Sequence, residues 1–156
     1  MDELWASVIA VVGTLLGGGF TYLLQERSTR RRDDAVRDQE IRREMRAVCG
    51  AFLATLTTLR RHQLHCHTLR VTRAPEEERT AAARVALEAR TDVTEALVAL
   101  QLCTGDQNVL DHASRAADVT VALHQAADQE DMDRRARAAR TAHDAFVVAA
   151  RSLTLA

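Results

Sequence analysis

The chain has 156 residues and a formal net charge of −1, with 21 basic residues set against 22 acidic ones. That balance excludes recognition of nucleic acid by an overall positive field. Every basic residue is arginine, and the lack of lysine excludes Walker-type phosphate loops, Schiff-base catalysis and other chemistry that needs an ammonium side chain.

From Leu4 to Leu24 the sequence LWASVIAVVGTLLGGGFTYLL carries no charge. A helix of that length, rising ~1.5 Å per residue, spans about 31 Å and matches a hydrocarbon core of ~30 Å. Trp5 and Tyr22 stand near its two ends, where amphipathic rings favour the headgroup boundary. A cleaved secretory signal would need a basic leader and a small-residue cleavage site, whereas the flanks here are Met-Asp-Glu and Gln25-Glu26-Arg27. The expectation is one transmembrane helix within residues 1–24. Arg27, Arg30, Arg31 and Arg32 follow the span, so the positive-inside rule places the N-terminus outside and the remainder in the cytoplasm, at the cell inner membrane. Ala6, Ala10, Gly13, Gly17 and Thr21 form a stripe of small residues through the span, with Gly13 and Gly17 as a GxxxG pair. Such a stripe lets two membrane helices approach closely and pair.

Residues 25–46 are almost wholly polar and lack Pro and Gly. Glu26 with Arg30, Asp33 with Arg37 and Asp38 with Arg42 stand at i, i+4, each pair supporting a helix by ~0.2–0.5 kcal/mol. This reads as a charged helical stalk.

Residues 47–156 read as a cytoplasmic antiparallel bundle of three or four helices, making the chain all-α. The first helix shows Ile41, Met45, Val48, Phe52, Thr55, Leu59, His62, Cys66 and Leu69 at alternating steps of four and three, and should stop near Arg70 to Arg73. Pro75 followed by Glu76, Glu77 and Glu78 opens the second helix. Its core stripe is Ala82, Ala86, Ala89, Val93, Ala96, Leu100 and Cys103, and Gly105 is its expected C-cap. Asp106 is the expected N-cap of a third helix, about Gln107 to Ala127, burying Val109, Ala113, Ala116, Thr120, Leu123 and Ala127. The polar stretch Asp128 to Asp131 separates it from a fourth, with Met132, Ala136, Ala139, His143, Phe146, Ala150 and Leu153 inward. The 4-3 alternation is also coiled-coil spacing, so a bundle that dimerises is compatible with it.

The hexapeptide HQLHCH, His62 to His67, is the one dense cluster of candidate ligands. On a wheel of about 100° per residue centred on Phe52, Cys66 faces the core, His62 and His67 lie at its borders and His65 points to solvent. Only His62 and Cys66 share a face. A soft metal site would need Cys103 or His143 to complete it. The competing reading is ordinary packing: Cys49, Cys66 and Cys103 match no disulfide framework or zinc ribbon, and reduced thiols pack as small apolar groups. No nucleophile stands with a base and an oxyanion loop, so no enzyme and no cofactor are expected.

The glycine-rich span, the arginine-rich stalk and the stretches MRAVCGAFLATLTTLRR, LVALQLCTGDQNVLDHASRAADVTVALH and AHDAFVVAARSLTLA together resemble small actinobacterial single-pass membrane proteins with cytoplasmic helical bundles. The KilB-type spread proteins of mycelial conjugative plasmids are the named instance. The resemblance implies a membrane-anchored, non-enzymatic interaction or scaffold protein, an accessory of plasmid transfer or spread, and carries no functional residue over. Its expected partners are the membrane and a protein, another chain or a second copy of itself, with no direct contact to nucleic acid. The alternative is a membrane-tethered metal or redox sensor built on the His and Cys cluster.

Overall fold

The computed structural model describes the backbone of residues 2–155 and the side chains of residues 36–153. Helix α1 runs over Asp2–Val71, α2 over Glu76–Cys103, α3 over Gln107–Val121 and α4 over Gln129–Leu155, with a 3-10 turn at Ala122–Gln125 after α3. The described residues hold no strand, and the chain is all-α. It divides into two compact units, Met1–Ile41 and Arg42–Ala156.

The expected span over Leu4–Leu24, its stripe of Ala6, Ala10, Gly13, Gly17 and Thr21, and Arg27, Arg30, Arg31 and Arg32 lie outside the described residues. Among the described residues no helix is long and apolar enough to cross a membrane. In the first unit, residues 36–41 are exposed, including the apolar Val36 and Ile41.

The second unit is a four-helix bundle whose elements start and stop for local reasons. After α1, Arg73 takes a left-handed backbone with φ 54°. The Ala74 N–H donates to the Leu69 carbonyl at 2.9 Å and the Arg73 N–H to the Arg70 carbonyl at 3.2 Å, which satisfies carbonyls the helix end would leave open. Pro75 then caps α2 with φ −51°, and Glu76, Glu77 and Glu78 fill its first turn, where the helix dipole favours negative charge.

Gly105 does not cap α2 as expected. Thr104 is the C-cap, in extended backbone at φ −139° and ψ 142°, and its hydroxyl accepts from the Asp106 N–H at 3.1 Å. Asp106 is the N-cap of α3, with Oδ1 accepting from the Val109 N–H at 3.2 Å. The bend therefore needs no left-handed residue, because two side chains close it.

Helix α3 stops short of the expected Ala127. The 3-10 turn has about three residues per turn in place of 3.6, which shifts the inward phase: Leu123 and Ala126 are buried, while Ala127 is exposed. The polar stretch that follows is a reciprocal cap. Asp128 Oδ1 accepts from the Asp131 N–H at 2.8 Å, and Asp131 Oδ2 accepts from the Ala127 N–H at 3.1 Å, in the manner of a capping box.

The main core joins all four helices. Phe52 and Leu59 of α1, Val93 and Leu100 of α2, Val109 and Ala113 of α3 and Phe146 of α4 are buried in it. Phe52 and Phe146 meet edge-to-face, centroids 5.1 Å apart at 76°. Alanine fills most of the remaining inward positions of α3 and α4, including Ala116, Ala117, Ala142, Ala149 and Ala150, and such small side chains let helix axes come close. A second cluster of Leu123, Ala126, Met132, Ala136 and Ala139 lies under the 3-10 turn, with Leu64 of α1 against it.

The inward face of α1 is rotated from the expected one. The buried residues are Met45, Cys49, Phe52, Leu56, Leu59, Gln63 and His67, whereas Val48, Thr55, His62, Cys66 and Leu69 are half-buried and Ile41 is exposed. The centre of the face lies about 25° from Phe52 toward Leu56. Apolar residue types favour the other side, but the bundle buries Gln63 and His67, the first donating to the Val121 carbonyl of α3 and the second accepting from Arg70 of its own helix.

Candidate functional site

The C-terminal end of α1, the first half of α2, the 3-10 turn and the start of α4 meet around a cavity of about 380 Å³. Its α1 wall is the HQLHCH segment seen from the inside: Gln63, Cys66, His67 and Arg70 line it. From α2 come Arg79, Ala83, Ala86 and Arg90, and from beyond α3 Leu123 and Met132. On the α2 side the space is bounded by the small side chains of Ala83, exposed, and Ala86, half-buried.

Polar side chains of the α1 wall and α4 serve the end of α3. The Gln63 amide donates through Nε2 to the Val121 carbonyl at 3.2 Å. Arg70 donates to the Ala126 carbonyl and also, at 2.9 Å, to His67 Nδ1. Arg135 donates to the Ala122 carbonyl at 3.3 Å. Three carbonyls at the end of α3 and its 3-10 turn thereby gain side-chain donors from other elements, and the Val121 carbonyl is also within 2.6 Å of His124 Nδ1.

The same arrangement fixes the histidine tautomer. A guanidinium has donors only, so His67 Nδ1 must accept from Arg70, and the ring proton lies on Nε2. His67 Nε2 is buried with no hydrogen-bond partner, and so is Gln63 Oε1. Both side chains are almost wholly buried, His67 at 4% exposure and Gln63 at 5%. Behind the α1 wall of the cavity, closed off from solvent, thus lie one unanswered donor and one unanswered acceptor, each an unfavourable burial.

The charge around the cavity has one sign. Arg70, Arg79 and Arg90 line it and no carboxylate does. Arg79 reaches Glu76 one turn back, an exposed pair, and such pairs contribute little to stability. Arg90 has no hydrogen-bond or ion-pair partner among the described residues, and it stands eleven residues after Arg79 on the same face of α2.

The candidate ligands of the sequence do not converge. His62 and Cys66 are half-buried, Cys103 is exposed at the end of α2, and His143 is half-buried on α4. Cys103 lies close enough to Cys49 for the two thiols to influence each other electrostatically, and Cys49 is about 25 Å along α1 from Cys66. Among the described residues no group of three or more His, Cys, Asp and Glu side chains is placed to hold a metal ion. The antiparallel return of α2 carries Cys103 to the far end of the bundle, which the stripe pattern could not reveal. Cys103 and His143 were expected in the core; the first sits on the last residue of its helix and the second beside the core stripe, whose buried member there is Ala142.

Cys49 and Cys66 are also poorly suited to redox sensing. Burial pushes the Cys66 thiol up, against a smaller lowering effect of a backbone hydrogen bond, and burial followed by the charge of Cys103 pushes Cys49 up. A raised thiol holds less reactive thiolate at neutral pH. His143 is held down by burial and then by nearby Arg60, with Asp144 opposing.

The chain was compared with known proteins. A family model described as KilB plasmid transfer protein matches residues 45–154, more than half of the chain and nearly all of the bundle. No curated protein and no solved structure matches.

Proposed function

The chain belongs to the KilB plasmid transfer protein family, and from that premise we propose that it is a membrane-anchored, non-enzymatic accessory of conjugative plasmid transfer or spread. The family match over residues 45–154 carries the reading, because it takes in the four-helix bundle and its cavity. Anchoring is supported by the uncharged Leu4–Leu24 and by the arginines that follow it, which orient the N-terminus outward and the bundle inward. The stripe of Ala6, Ala10, Gly13, Gly17 and Thr21 supports pairing of two spans. A scaffold role is supported by the packing of Cys49 into the core and Cys66 into a wall of the cavity.

The test is genetic. Removing the coding region from a plasmid that carries it lowers transfer or spread; the full chain restores it, and a version without residues 1–24 does not. Undiminished transfer and spread after removal sinks the reading, and full rescue by the version without the span sinks the anchoring part alone.

A further inference from the structure

We propose that the cavity between α1, α2 and the 3-10 turn is a binding site for a small organic oxyanion, a phosphate monoester or a carboxylate attached to a compact apolar body. Its volume of about 380 Å³ falls within the ~300–1,000 Å³ usual for small-molecule pockets. Three features of different kind specify the ligand. The first is charge: three guanidiniums line the space without a carboxylate among them, and guanidinium is the side chain best matched to planar or tetrahedral oxyanions.

The second is a pair of unanswered polar atoms just behind the α1 wall. His67 holds its proton on Nε2, because Arg70 occupies Nδ1, and that N–H and Gln63 Oε1 have no partner in the protein and no surface open to solvent. A turn of either side chain toward the cavity gives it a partner on the ligand, an oxyanion for the N–H and a hydroxyl for the amide oxygen. The third is the apolar floor of Ala83, Ala86, Leu123 and Met132, which fits a hydrocarbon or aromatic portion and not a bare inorganic ion. Arg90 is the residue most available to the ligand, since Arg70 holds the Ala126 carbonyl and Arg79 is shared with Glu76.

The experiment is calorimetric titration of the full-length chain, in non-ionic detergent, with phenyl phosphate, benzoate, benzyl alcohol and benzylamine. Saturable binding of at least one of the two anions is expected, together with little or none for the neutral and cationic analogues. Phenyl phosphate alone identifies a phosphate monoester as the ligand class, and benzoate alone identifies a carboxylate. Arg90→Gln, an exposed position whose replacement leaves the core intact, should weaken the anion about tenfold, the usual consequence of losing one charge-assisted hydrogen bond. Ala86→Leu fills the space from the other side and should abolish binding while the chain keeps its helical circular dichroism.

Equal binding of benzyl alcohol and the anions overturns the proposal. So does the absence of saturation by either anion up to about 10 mM, or anion binding that both variants leave unchanged. None of these outcomes bears on plasmid transfer, so this proposal and the family-based reading fail separately.

Discussion

Truncating Phe146 to alanine tests whether α1 is held to the bundle as described. Phe146 and Phe52 are both fully buried, and their rings meet edge-to-face at 5.1 Å. Removing a buried phenyl ring costs about 3–5 kcal/mol, from lost transfer energy and from the void left behind. Of this, about 0.5–1.5 kcal/mol belongs to the ring–ring contact itself. A domain of this size is stable by only about 5–15 kcal/mol, so Phe146→Ala removes a large part of the total. At roughly 4 °C per kcal/mol, the cooperative melting transition of the full chain falls by about 12–20 °C. Thermal melts followed by circular dichroism read this directly. The pairwise part is isolated by Phe52→Leu, Phe146→Leu and the double variant, which should show a coupling of about 0.5–1.5 kcal/mol. A shift of only a few degrees for Phe146→Ala, or additive leucine variants, would refute the packing of α1 on α4.

Four further outcomes follow from particular residues. Asp131 is held below its ordinary value of 3.8, first by the Ala127 N–H and then by Arg135; a depressed carboxylate stabilises above its unfolded value and loses that contribution as pH falls through the folded one. Asp131→Asn should therefore melt lower than the native chain at pH 7, and the gap should close as both are acidified below 3.8. Asp106→Ala removes the α3 cap and should lower stability by about 0.5–2 kcal/mol, read from urea midpoints. Arg73→Gly relieves the left-handed backbone after α1 and should raise stability by about 1 kcal/mol, read from the same urea midpoints. In thiol labelling of the reduced native chain, Cys103 should react first, Cys66 more slowly, and Cys49 only on unfolding, following their exposed, half-buried and buried positions; early labelling of Cys49 would contradict the core.

Much of the bundle is legible in the sequence because its signals are local. Pro75 with three glutamates marks the start of α2, Asp106 the start of α3, and the 4-3 spacing of Val109, Ala113, Ala116 and Thr120 the inward face of α3, since caps and helical periods act within a few residues. The family resemblance was legible for the same reason, being carried by the order of such segments.

The site was not legible in that way. The wheel sends His65 of HQLHCH to solvent, as the fold does, but turns Cys66 inward and His67 to the border, whereas the fold buries Gln63 and His67 and leaves Cys66 half-buried. What decides this is the end of α3. There the carbonyls of Val121, Ala122 and Ala126 face the neighbouring helices, and the amide of Gln63 and the guanidiniums of Arg70 and Arg135 donate to them. Those partners lie far along the chain, so no periodicity near His62 announces them. The available signal was the pair of alanines at 83 and 86 between Arg79 and Arg90, small residues framed by like charges. The sequence by itself determined the helices and where α2 and α3 begin, because hydrogen bonds within a helix, N-terminal caps and burial of its apolar face are set by near neighbours. Only the tertiary structure decided which way α1 turns and that a cationic cavity opens beside it, because both depend on unsatisfied groups brought together from four separate elements.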